Sequence, residues 1–163
     1  MTKTEISQEN QQIFYETSKH LQLGQFEEAY NLTKNLFSLT PEDPTVLKLY
    51  GAACFLSKRT EEAENCFSQA ITLDKQVAFP ILEFWAQLLA QFLNFSIPAR
   101  LYAFIILNEP SHGGARITYA QYLASSEQFE EAFSELKYLK KHHSDLPRVW
   151  ELDADLNILI GNK

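Results

Sequence analysis

The chain has 163 residues, 45% of them hydrophobic and 13% aromatic, enough material for a substantial core. A formal net charge of -7 makes phosphate backbones poor partners, because nucleic-acid affinity comes largely from Lys and Arg neutralising phosphates. Two cysteines, Cys54 and Cys66, do not make a disulfide framework, and they point to a reducing, cytoplasmic compartment.

Residues 1–9 are expected to be a flexible lead, since the start is polar and holds no apolar signal core. Beyond it, nearly the same tetrapeptide recurs: Phe26-Glu27-Glu28-Ala29, Thr60-Glu61-Glu62-Ala63 and Phe129-Glu130-Glu131-Ala132. The first step is about 34 residues and the second about twice that, so Phe95-Ser96-Ile97-Pro98 stands where a degenerate copy belongs. That period predicts antiparallel helix hairpins stacked into a right-handed superhelical solenoid. The hairpins are expected at roughly 10–43, 44–78, 79–112 and 113–146, with Gly24 in the first inter-helix turn and Pro41, Pro110 and Pro147 near the junctions. After Pro147 the residues Trp150, Leu152, Leu156 and Leu159 predict a closing helix over 147–160 that covers the fourth hairpin. The expectation is therefore an all-α chain of about nine helices in a single domain over 10–163.

The third hairpin stands apart. Its first helix (Ile81, Leu82, Phe84, Trp85, Leu88, Leu89, Phe92, Leu93) and its second, around Tyr102, Phe104 and Ile105, are apolar over much of their circumference. That much apolar surface predicts either a fully sandwiched repeat or a second interface at Tyr102, Phe104 and Ile105, such as a homodimer. The apolar stretch 79–107 is interrupted by Asn94, Ser96, Pro98 and Arg100, so no membrane-spanning segment is expected.

Chemistry has little foothold. His20, His112, His142 and His143 form no metal-ligand spacing, and no nucleophile motif gathers Ser, His and Asp. The recurring Glu-Glu pairs each open a second helix, in the first, second and fourth hairpins, where negative charge favours the helix dipole. Gly113-Gly114 is too weak a signal for a phosphate loop. No enzyme activity, cofactor or metal is expected.

Gly51, Ala86, Ala120 and Ala154 in the first helices, Ala29, Ala63 and Ala132 opening the second, Phe67 and Leu136 a turn later, and the closing Pro41 and Pro110 resemble the tetratricopeptide repeat. The resemblance covers roughly 10–163 and departs from the pattern at Thr17 and Pro98. The pentatricopeptide type has a similar period but reads RNA, which the acidic charge opposes. The tetratricopeptide resemblance implies a concave groove lined by the first helices, at Phe14, Ser18 and Leu21, Lys48, Ala52 and Phe55, Glu83, Gln87 and Ala90, and Ile117, Gln121 and Ala124. Such a groove suits an apolar peptide, with Ala52, Ala90 and Ala124 as its floor. Phe14, Leu21 and Phe55 have the alternative of capping the core.

Leu49-Tyr50-Gly51-Ala52-Ala53-Cys54, the Glu-Glu-Ala that follows, Leu73-Asp74-Lys75 and an apolar helix beginning near Pro80 resemble the translocator (class II) chaperones of type III secretion over roughly 44–107. That resemblance implies a cytoplasmic chaperone holding an apolar secretion substrate. The fourth hairpin and the closing helix depart from its three-repeat plan. The competing expectation is a scaffold or assembly factor joining folded partners. Either way the partner is a protein, not a nucleic acid or a membrane.

Overall fold

The computed structural model describes residues 3–92 and 95–161, which form nine α-helices and no strand. They are α1 (Lys3–Gln22), α2 (Phe26–Leu39), α3 (Pro44–Leu56), α4 (Thr60–Ala70), α5 (Lys75–Phe92), α6 (Ser96–Asn108), α7 (Gly113–Ser125), α8 (Phe129–His142) and α9 (Pro147–Gly161). Residues 3–9, expected to be a flexible lead, belong to α1. The chain divides into two compact units, Met1–Leu88 and Leu89–Lys163, where a single domain was expected, and the division falls within α5. Leu93, expected on α5, lies outside the described residues.

One turn is built three times. Gly24, Lys58 and Glu127 all take left-handed backbone, with φ of 73°, 61° and 61°. Behind each, the next amide reaches back to the preceding helix: Gln25 N–H to His20 O, Arg59 N–H to Cys54 O and Gln128 N–H to Leu123 O, all at 2.9 Å. This satisfies carbonyls at the helix end and turns the chain into α2, α4 and α8, each of which opens on acidic residues. Between hairpins, the Asp43 carboxylate accepts from the Thr45 and Val46 amides at 2.8 and 3.2 Å and starts α3, with Pro44 in the first turn where no amide is needed.

Helix α5 opens earlier than the sequence suggested. Asp74 accepts from the Gln76 amide at 2.9 Å and nucleates the helix, so the helix begins at Lys75 and Pro80 lies inside it. Pro80 is the sixth residue of α5, so its missing N–H leaves Gln76 O without a helix bond, and proline's usual place at a helix start is why it looked like a boundary. Pro98, by contrast, sits in the first turn of α6, where no amide is needed.

In the first unit α1 packs on α2 and α3, and α3 packs on α2 and α4. Trp85 of α5 is wholly buried there, and its indole N–H donates to Lys48 O at 2.7 Å. A methyl group at Gly51 would overlap the Trp85 ring, so the small residue of α3 admits the next hairpin's tryptophan and not its own hairpin partner, as its place in the repeat had suggested. A polar knot ties α2, α3 and α4: the Tyr30 and Tyr50 hydroxyls both donate to the Glu62 carboxylate, and the Arg59 guanidinium lies 3.8 Å over the Tyr30 ring while pairing with Glu27 at 2.8 Å.

In the second unit α7 packs on α6, α8 and α9, and α8 packs on α9. Its core joins Ile117, Ala120, Leu123, Ala132, Leu136 and Leu139 with Val149, Leu152 and Leu156 of α9. The start of α7 is occupied by its own chain: the Ala115 amide donates to His112 Nδ1 at 3.1 Å, and a methyl group at Gly113 would press on His143 and Leu146. Arg116 is buried between Pro110 O at 2.8 Å, the Glu135 carboxylate and the Tyr138 ring. Helix α9 covers the fourth hairpin with Val149, Leu152 and Leu156, but not with Trp150 and Leu159, which are 52% and 45% exposed. The Trp150 indole N–H turns back to donate to Ser144 O at 3.0 Å.

Candidate protein-binding cleft

The residues expected to line a groove fall into two groups. Leu21, Ala52 and Phe55 are buried in the first unit, and Ile117 and Ala124 in the second. Ala52 is 0% exposed. Its small side chain is enclosed by close packing and so has no open floor above it. Leu21, Phe55 and Ile117 are core side chains and present no pocket. Phe14, Lys48, Glu83, Ala90 and Gln121 are half-buried and Gln87 is exposed, while the Ser18 hydroxyl donates within its own helix to Phe14 O at 2.9 Å. At the expected second interface Tyr102 and Ile105 are buried and Phe104 is half-buried, so the apolar surface of α6 is largely enclosed already. Burial pushes the hydroxyl of Tyr122, beside Tyr102, up to about 12, with Tyr102 adding to the rise.

One part of the expected groove is open. Between α7, the first helix of the fourth hairpin, and the closing helix α9 lies a cleft of about 350 Å³. From α7 it takes Gln121, Ala124 and Ser125. From α9 it takes Leu152 and Leu156 at its base and Asp155, Ile158 and Leu159 along its wall. Ile158 is 60% exposed, and Ile160 beside it is also open, so the last turns of α9 present apolar surface on more than one side. Pockets of this size that take ligands are mostly apolar with a few placed polar groups, which describes this lining. The polar groups are an amide, a hydroxyl and a carboxylate, able to orient a ligand by hydrogen bonds and to hold a cation.

A second opening, of about 410 Å³, lies in the first unit between α3 and α5, where Lys48 meets Val77, Pro80 and Ile81. The Lys48 ammonium sits 4.8 Å over the Phe84 ring. Of its apolar lining Ile81 is buried while Val77 and Pro80 are exposed, Val77 at 37% against 60% for Ile158.

Gln121 and Ala124 were expected to face a groove and line this cleft; Ser125, Asp155, Ile158 and Leu159, which also line it, were not among the expected groove residues. The signal was present in the run Ile158-Leu159-Ile160, since three consecutive apolar residues cannot all face one side of a helix. Among the described residues no helix is long and apolar enough to cross a membrane, and no group of His, Cys, Asp or Glu is arranged to hold a metal ion.

Neither family models nor curated proteins match the sequence. Solved structures do. A chain described as MamA MSR-1 C2 is 15% identical, covered over 91% of this chain and 85% of its own, with a TM-score of 0.51. A tetratricopeptide repeat protein from Parabacteroides merdae ATCC 43184 is 16% identical over 95% of this chain, with a TM-score of 0.56, and the match spans 61% of that longer chain. With the repeated hairpin turn and the paired helices of each unit, these likenesses establish that the chain has the tetratricopeptide-repeat fold.

Proposed function

We propose that the chain is a non-catalytic protein-interaction module that takes an apolar segment of a partner protein into the α7–α9 cleft. The observation that carries this reading is the exposure of Ile158 and Leu159 on the wall of a cleft whose base is Leu152 and Leu156. Neighbouring aliphatic side chains left in water above an apolar base support a reading in which a partner covers them. A segment laid against it gains by burying its own apolar side chains there, with Gln121 and Ser125 positioned to hydrogen-bond its backbone.

The finer reading is a cytoplasmic chaperone for an apolar client, of the kind the resemblance over 44–107 implies. It is supported by the apolar cleft and by the free, buried thiols of Cys54 and Cys66, which suit a reducing compartment. The scaffold reading draws on the burial of Leu21, Ala52 and Phe55, which leaves the first unit less open apolar surface for an unfolded client. Co-expression separates the two: a chaperone keeps soluble an apolar partner that precipitates alone, whereas a scaffold binds partners already soluble.

The test of the shared reading starts from a displayed library of 12-residue peptides selected on the folded chain. The selected peptides should be rich in aliphatic and aromatic residues, and Leu159→Lys or Ile158→Lys should weaken their binding by roughly tenfold or more while the melting temperature stays nearly constant. Unchanged affinity in both variants would place the binding surface elsewhere.

A further inference from the structure

We infer that the segment held by the α7–α9 cleft carries a Lys or Arg beside its apolar anchors, and that Asp155 is the group that recognises this cation. The inference rests on the cleft being a protein-binding site and adds the charge of the occupant. Asp155 is exposed on the cleft wall between apolar neighbours, and no cation among the described residues pairs with it.

Its neighbour two residues earlier shows the contrast. Asp153 faces α8, where Lys140 pairs with it at 2.6 Å and the Asn157 amide donates to its carboxylate at 3.1 Å. Asp153 is thus provided for within the fold, and Asp155, turned to α7, is not. The α7 side of the cleft offers only Gln121, Ala124 and Ser125, so it supplies no positive charge. Glu151 is exposed one turn before Asp155, and like charges at that spacing on a helix repel. A cation seated at Asp155 relieves that repulsion. Its attraction is felt more strongly there than in open water, because one side of the carboxylate is apolar protein. The net charge of -7 also steers basic segments toward the chain and discourages acidic ones.

The test uses three fluorescein-labelled 12-residue synthetic peptides that share their Leu and Ala positions and carry Lys, Gln or Glu at the rest. Binding is followed by anisotropy at low salt. The wild-type chain should bind the Lys peptide roughly three- to tenfold tighter than the Glu peptide, with the Gln peptide between them. Asp155→Lys should reverse that order. Glu28→Lys changes the net charge equally, on the first turn of α2, and should leave the order as it was. If Asp155→Lys keeps the wild-type order, or Glu28→Lys reverses it as well, the preference belongs to overall charge and the assignment of Asp155 is wrong. Equal affinity of the wild type for all three peptides would remove the charge inference and leave the apolar cleft standing, whereas no binding of any of them would remove both.

Discussion

Gly51 and Trp85 show how one missing methyl group governs a contact. The indole fills the space that any side chain at residue 51 would need, and its N–H is committed to Lys48 O. Gly51→Ala should therefore displace the ring and cost roughly 1–3 kcal/mol in urea unfolding, whereas alanine in place of glycine in an unobstructed helix would stabilise. Glu62 is the second residue on which the first unit depends. Burial alone would raise its carboxyl, but the donating Tyr50 and Tyr30 hydroxyls, with Lys34 and Arg59 nearby, hold it below the ordinary 4.5. A carboxyl whose folded pKa lies below its unfolded one stabilises fully above the unfolded value and loses that contribution as pH falls through the folded value. Glu62→Gln should cost about 0.5–1 kcal/mol at neutral pH, a modest figure because water screens the partly exposed carboxylate, and the gap between variant and wild type should close as the pH is lowered past 4.5. A gap that stays constant from pH 7 to pH 3 would show that the carboxylate is not what the two hydroxyls serve.

At the scale of helices, the hairpin frame was legible because its signals are local. Repeated Glu-Glu-Ala openings, the glycine before α2 and the prolines at the junctions each act within one turn of chain, and α2, α4 and α8 do open at the three repeated tetrapeptides. Two signals misled for physical reasons. Pro80 resembled a helix start because proline is most often tolerated in a helix's first turn, while the actual start lay with the Asp74 cap and Pro80 falls inside the helix at the cost of one backbone bond. Small residues in the first helices were read as the floor of a groove, but a small side chain suits close packing of two helices equally well, and Ala52 serves that purpose. Which neighbour a residue meets is a tertiary fact that helical periodicity does not encode. The two kinds of position should separate cleanly on mutation. Ala52→Glu should lose roughly 3–5 kcal/mol by burying an unpaired charge, seen as a lowered urea midpoint. Leu159→Lys, at an exposed position, should change stability within about 0.5 kcal/mol. Equal losses in the two variants would mean that the burial pattern around α1 and α3 is misread.

At the scale of the whole chain, the fold is shared with proteins of about one-sixth identity, so the arrangement of helices is specified by packing pattern and not by particular residues. Function has the opposite character, since it rests on a few side chains that depart from the pattern. Most apolar side chains of the first helices are spent on the cores of their units; single apolar side chains such as Tyr15, Leu39 and Leu107 stay open elsewhere, and the last turn of α9 exposes three in a row, Ile158, Leu159 and Ile160. The sequence disclosed that α9 closes the fourth hairpin, because Leu152 and Leu156 follow helical spacing. It did not disclose that Ile158 and Leu159 stand beyond that cover, because the cover depends on where α7 ends.

The most direct measurement of the central claim is amide hydrogen exchange of the full chain with and without a selected apolar 12-residue peptide. Binding in the α7–α9 cleft should slow exchange in the peptides spanning 117–125 and 149–161 and leave α1 to α4 unchanged. Protection confined to α1 to α4, with none in α7 or α9, would contradict the account.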